Sequence, residues 1–324
     1  MEIIEKKFLD SDTRSVHAAS IEFFKDKPVF SWFGGSREGS PDVAIYIDGL
    51  DGLEKQYKFD IEGVSQWNPV LFNYKFKQNE EQLILFSKVG DFCDRWNTLV
   101  HDISNLDEEK KFDNYRVLPA GFNGPVKTKP ILAHQNFCFG SSVETFLNWS
   151  SYIEEISCNS PDFMDNVGRT IEFKRKNILV DHKSSPRSKG IIQPSLWVDS
   201  NFTVNAFCRS DLGYIYHWRK SFLNDYAKPT RFENPNSGID TVFHDGFLYL
   251  AYNPSKTNRF PLVIEKLDDK FNTVDSLVIE ESPMKEGLTQ ELSYPYMIQR
   301  DNKLHLVFTN ARCKIEYCVI DLEN

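Results

Sequence analysis

The sequence predicts an all-β fold, a six-bladed β-propeller that is closed by its own first strand. Three observations predict it. Helical periodicity is nearly absent, a pair of short apolar strands recurs along the chain, and the last unit lacks the one strand that is left over at the other end. The composition agrees: 14% of the 324 residues are aromatic, 26 of them Phe, and flat side chains pack well on a pleated surface.

Taken in order, Glu2–Phe8 is a lone first strand. The first pair is His17–Phe24 with Pro28–Phe33. Four later pairs open on X-Pro followed by apolar residues: Asn68-Pro69-Val70-Leu71, Lys129-Pro130-Ile131-Leu132, Gln193-Pro194-Ser195-Leu196 and Tyr294-Pro295-Tyr296-Met297. Their second strands are Gln82–Ser87, Asn136–Ser141, Phe202–Cys208 and Lys303–Phe308. Ile239–Phe243 with Phe247–Tyr252 fits without the Pro. Successive starts lie roughly 45–65 residues apart, the range of a propeller blade. Two weaker strands follow each pair, as Pro261–Leu267 and Asp275–Glu280 do in the fifth unit. The last unit has only Lys314–Ile320, so Glu2–Phe8 completes it and removes two free edges. Residues 1–324 then form one propeller domain.

A net charge of −9 with no basic stripe argues against a nucleic-acid partner, because displacing counterions from phosphate needs clustered cations. Lys174-Arg175-Lys176 is short and fits a solvated strand face. No run approaches the roughly 18 apolar residues of a membrane helix. Met1-Glu-Ile-Ile-Glu-Lys-Lys-Phe has no apolar signal core, so the expected location is cytoplasmic. The six Cys form no CxxC pair and are expected as free thiols of a reducing compartment. The His residues are scattered, and neither a metal nor a cofactor is expected. Nothing in the pattern sets an oligomeric state.

In a propeller, the starts of the first strands and the ends of the second strands share one face. That rule gathers His17, Asn68, Lys127, Lys129, Gln193, Asp240 and Tyr294 with Arg37, Glu38, Glu144, Arg209 and Arg312; Asp42 and Arg259 follow on nearby loops. On an acidic chain this rim is rich in Arg and Lys, as an anionic ligand such as a sugar carboxylate needs.

These segments carry a family resemblance. His17-Ala-Ala-Ser, Trp32-Phe-Gly-Gly-Ser-Arg-Glu-Gly, Trp67-Asn-Pro-Val-Leu-Phe, Gly124-Pro-Val-Lys-Thr-Lys-Pro, Gln193-Pro-Ser-Leu, Asn234-Pro-Asn-Ser-Gly-Ile-Asp and Ser293-Tyr-Pro-Tyr resemble, in order, the predicted-neuraminidase branch of the sialidase superfamily with its BNR, or Asp-box, repeats. The resemblance implies a six-bladed propeller. It also implies three Arg that clamp a substrate carboxylate, a Tyr nucleophile assisted by Glu, and an Asp acid/base. Arg209 and Arg259 match the second and third Arg, Tyr294 the nucleophile and Asp42 the acid/base. Three departures stand out. His17 replaces the first Arg, Gln193 replaces the assisting Glu, and the Asp-box turns are eroded to fragments such as Ser210-Asp211-Leu-Gly213.

Three functions follow from this. The first is an exo-glycosidase for a sialic acid or related acidic sugar, with Tyr294, Asp42, His17 and Gln193 at the catalytic centre. In it Arg37, Glu38, Lys129, Glu144, Arg209, Asp240, Arg259 and Arg312 bind substrate, and Arg37 or Arg312 stands in for the lost Arg. The second is a lyase that eliminates across a uronate with His17 and Tyr294. The third is a propeller that binds an acidic carbohydrate without catalysis.

Overall fold

The computed structural model describes residues 1–9, 11–49, 56–76, 80–105, 115–168, 173–181, 188–221 and 225–323. Short apolar runs broken by turn residues give strands almost throughout. β1 (Glu2–Leu9) comes first, followed by the four-stranded sheet β2 (Ser15–Phe24), β3 (Lys27–Gly35), β4 (Ala44–Asp48) and β5 (Tyr57–Phe59). A second sheet has β6 (Gln66–Phe76), β7 (Glu80–Val89), β8 (Asn97–Asp102) and β9 (Tyr115–Val117). The third unit is β10 (Ile131–Ala133), β11 (Asn136–Glu144), β12 (Trp149–Ser157), the short helix α1 (Phe163–Gly168) and β13 (Lys174–Val180). The fourth is β14 (Ile191–Val198), β15 (Val204–Ser210), β16 (Tyr214–Arg219) and β17 (Tyr226–Glu233). These two units join into one eight-stranded sheet through a parallel contact, Leu179 and Val180 of β13 facing Tyr226 and Ala227 of β17.

β18 (Asp240–His244), β19 (Phe247–Tyr252), β20 (Leu262–Leu267) and β21 (Thr273–Glu280) make the fifth unit. The sixth holds β22 (Leu292–Arg300), β23 (Lys303–Asn310) and β24 (Lys314–Asp321), with β1 paired antiparallel to β24 from Glu2↔Asp321 to Leu9↔Ile315. The all-β propeller is therefore observed, with six four-stranded units and the expected closing strand. The first strands β2, β14 and β22 are buried along nearly their whole length, whereas β10 buries only Ala133 and β1, β9 and β21 are largely exposed. This is why the first strands carry near-continuous apolar runs.

The X-Pro repeat has a structural cause. Between Trp67 and Val70, Ile192 and Ser195, and Ser293 and Tyr296, the first strand advances three residues while its partner advances two. Each is a β-bulge, and its first residue is left-handed: Asn68 (φ 43°), Gln193 (φ 53°) and Tyr294 (φ 55°). The following Pro has no N–H, so the bulge leaves no unpaired donor in the ladder. Ala18-Ala19 makes the same bulge without Pro (φ 53° at Ala18). In the third unit the left-handed residue is Lys127 (φ 76°), two positions before the Lys129-Pro130 that the repeat suggested. The local chain is in a different register, with Val126 N–H bonded to the Gly140 carbonyl.

One glycine permits the tight contact between the third and fourth units. A Cβ on Gly140 would lie 1.8 Å from the Pro194 carbonyl oxygen, which also accepts a 2.7 Å bond from Thr128 Oγ1. Gly140→Ala is expected to force that bulge away and to cost about 1–3 kcal/mol, seen as a lower urea midpoint.

Candidate active site on the propeller axis

The bulges re-aim side chains, and several of these converge. Gln193 Nε2–H donates to Tyr294 Oη at 3.2 Å and lies 3.4 Å from Glu144 Oε1 at the end of β11. The His17 ring packs on the Tyr294 ring with centroids 4.1 Å apart, and its Nδ1 lies 3.0 Å from Thr309 Oγ1. Below Tyr294, the Lys127 ammonium is 5.8 Å from the ring and donates to the carbonyls of Ile239, at 2.7 Å, and Pro295. Gly238 leaves room for this layer, since a Cβ there would approach Tyr294 Cδ2 to 3.1 Å.

Three guanidinium groups surround the pair. Arg209 at the end of β15 sits 5.5 Å from the Tyr294 ring. Arg209 and Arg259 both reach the Asn236 carbonyl, at 3.5 and 3.1 Å, which a left-handed turn at Asn236 (φ 57°) holds between them. Arg259 and Arg312 share Glu291: Arg259 at 3.1 Å, Arg312 through its Nε, with Ser293 Oγ donating at 2.9 Å. Arg312 also pairs with Glu38.

The electrostatics follow from this packing. Burial, then Arg312, Arg259, Arg209 and Lys127, push His17 well below the usual imidazole range, so it is neutral at pH 7. Its Nε2 is buried without a partner among the described residues. Burial raises the Glu144 carboxyl, against the pull of Arg209. Glu291 is held below the carboxylate range; burial works against this, and Arg312 and Arg259 overcome it. Burial pushes Lys127 down to about 7. The unfolded chain keeps this ammonium charged up to its ordinary value of 10.5. Between about 7 and 10.5 it therefore holds a proton that the folded chain lacks, so stability rises with pH across that window and falls as pH drops through it. Lys88, buried and also pushed down to about 7, acts in the same direction. Lys127→Met is expected to flatten, but not abolish, the rise in urea midpoint between pH 7 and 10.

The structure thus brings together Tyr294, His17, Gln193, Glu144, Arg209, Arg259, Arg312 and Glu38. Four other expected site residues lie differently. Asp240 is fully buried, its carboxylate bonded to Lys129 Nζ, Ser195 Oγ and Met297 N–H, each at 2.7 Å. Lys129 and Asp240 therefore form a strut between strands, with the carboxylate closed to a ligand. Asp42 is exposed, and Ser36 N–H and Oγ–H each donate to it at 2.8 Å, holding its carboxyl below the usual range. Arg37 is exposed on the wall of a cavity beside the axis. Among the described residues no group of three or more His, Cys, Asp or Glu side chains could hold a metal ion. No helix among them is long and apolar enough to cross a membrane.

Sequence reasoning missed Glu291, Asn236 and Gly238. Asn236 and Gly238 lay in the Asn234-Pro-Asn-Ser-Gly motif, which carried the family resemblance without marking either residue. Glu291 carried one signal, an acidic residue two positions before Ser293-Tyr-Pro-Tyr.

Comparison with known proteins agrees with this architecture. No curated protein sequence matches the chain closely enough to count as a relative. A crystal structure of an unknown-function protein from Dyadobacter fermentans superposes with TM-score 0.70 at 11% identity, covering 99% of this chain and 98% of that one. The Trypanosoma rangeli sialidase superposes with TM-score 0.62 at 12% identity over 95% of this chain and 55% of that one. Its complex with sialic acid gives TM-score 0.59 at 11% identity over 100% of this chain and 58% of that chain. The chain thus spans little more than half the length of the sialidase. The family described as the BNR repeat-like domain matches residues 28–306, so the chain belongs to that family and has the sialidase-like β-propeller fold.

Proposed function

We propose that the protein is an exo-glycosidase that hydrolyses a terminal acidic sugar at the propeller axis. The observation that carries this is a cluster of three guanidinium groups beside Tyr294: Arg209 over its ring, and Arg259 and Arg312, joined through Glu291, within its electrostatic reach. A carboxylate fits between guanidinium groups as a charge-assisted, bidentate partner. Arg312 stands beside His17 and takes the place of the Arg that His17 replaces. Glu291, Glu38 and the Asn236 carbonyl preorganise the three cations before substrate arrives.

In this reading Tyr294 Oη bonds to the anomeric carbon as the bond to the leaving oxygen breaks. Asp42 protonates that oxygen once it has left Ser36, which holds it ionised, and has taken up a proton from solvent. A Tyr is a poor nucleophile unless its proton is removed. The neutral amide of Gln193 cannot accept that proton. Glu144 reaches the pair through Gln193 and burial raises its carboxyl, whereas burial and then the surrounding cations lower His17. Water then cleaves the glycosyl–tyrosine bond, Asp42 takes a proton from that water, and Tyr294 recovers its own from Glu144. The Trypanosoma rangeli sialidase, solved with sialic acid, supports an acidic ligand on this fold.

One observation favours a second reading. The position of His17, packed on Tyr294 with Nε2 unpartnered among the described residues, suits proton abstraction beside a uronate carboxylate, whose charge offsets the cations that lower His17, and elimination of the leaving group. One assay separates the two. The protein is incubated with aryl sialosides, acidic uronate oligosaccharides and neutral glucosides while released sugar and ultraviolet absorbance are recorded. Released acidic sugar without absorbance supports hydrolysis; absorbance from an unsaturated uronate supports elimination. Cleavage of neutral glucosides alone would overturn both.

A further inference from the structure

A cavity of about 620 Å³ opens beside the axis, between the first and sixth units. Its volume is that of a small-molecule pocket. Arg14 and Ser15 come from the start of β2, Ser36, Arg37 and Glu38 from the end of β3, and Leu288, Thr289 and Glu291 from the segment leading into β22; Arg312 follows β23. The inner wall is therefore the Glu38–Arg312–Glu291 chain that also bounds the axial site. Both carboxylates on that wall are engaged by guanidinium groups: Glu38 by Arg312, and Glu291 by Arg312 and Arg259. Arg14 and Arg37 make no ion pair with any described residue and stand on the outer wall. The positive charge left over in the cavity thus sits one side chain beyond the axial cluster, on an otherwise acidic molecule.

From this we infer that the cavity is a second anion subsite, which takes the carboxylate of the sugar next to the terminal one. It rests on the proposed function and narrows it: the preferred substrate is an oligosaccharide with acidic groups on successive residues. Arg14 and Arg37 face the second carboxylate, and Ser15 lies on the same wall, while the Ser36 hydroxyl is held by Asp42. A single acidic sugar would fill the axis and leave the cavity to water.

Binding tests the inference without turnover. Sialic acid and its linear dimer are titrated into the wild type and into Arg14→Ala and Thr289→Trp, the second of which fills the cavity from its exposed rim. One charge-assisted contact corresponds to about tenfold in affinity. The wild type is expected to bind the dimer about tenfold more tightly than the monomer, with the gain shrinking as salt is raised. Each variant is expected to lose that gain while binding the monomer as the wild type does. Equal affinity of the wild type for monomer and dimer, or a gain that survives both substitutions, overturns the subsite. Failure of the wild type to bind either sugar would instead overturn the axial reading on which it rests.

Discussion

Tyr294→Phe is expected to abolish cleavage of acidic glycosides while leaving the propeller folded. The substitution removes one oxygen. The ring stays packed on His17 at 4.1 Å and stays beneath Arg209 at 5.5 Å, so the cation cluster keeps its floor. The structural loss is the bond from Gln193 Nε2, about 0.5–1.5 kcal/mol. In the proposed mechanism the chemical loss is the nucleophile itself, and rates are expected to fall by roughly 10³–10⁶-fold. Binding of sialic acid should survive, because the three Arg are untouched. Turnover, sialic acid affinity and melting temperature measured on one preparation separate these effects. A variant with most of its activity would remove Tyr294 from hydrolysis and elimination alike.

Asp240→Ala is expected to cost about 3–5 kcal/mol, a large share of the stability of an ordinary domain. Asp240 lies on β18 and accepts from Lys129, from Ser195 on β14 and from Met297 N–H on β22. One carboxylate therefore ties together strands of the fourth, fifth and sixth units and the segment leading into the third. Alanine leaves a largely buried ammonium without its counter-ion and a buried N–H without its acceptor. Lys129→Met combined with Asp240→Leu is expected to be less damaging than Asp240→Ala alone, because no charge is then stranded. Urea unfolding of the single and double variants checks both. A single variant within 1 kcal/mol of the wild type would mean that water or a neighbouring group replaces the carboxylate.

The fold was legible because it is written in local patterns. Each strand pair announced itself through apolar runs and turns, and the unpaired first strand with the strand missing from the last unit announced the closure. The X-Pro repeat was legible as a position but not as a conformation. Its first residue reads as an ordinary strand start until the ladder shows one residue too many, and in the third unit that misplaced the bulge by two residues. The site was legible in part for a related reason. Residue types at strand ends name candidates, yet whether a charge faces a ligand or another strand depends on partners far away in sequence. Asp240 and Arg312 looked alike as polar residues beside an apolar run. One is sealed by Lys129, which is 111 positions away, and the other opens onto a cavity through Glu38, which is 274 positions away.

The pairing of β1 with β24 also carries an entropic cost that sets it apart from the other ladders. Glu2 and Asp321 are 319 positions apart (321 − 2), whereas β23 and β24 meet across the turn from Asn310 to Lys314. Joining such distant segments costs about 4 kcal/mol more loop entropy than closing that hairpin. During synthesis β1 is made before β24 and has no strand to pair with until β24 follows. Every other ladder among the described residues joins segments closer in sequence, so this seam carries the largest loop-closure cost of the ring.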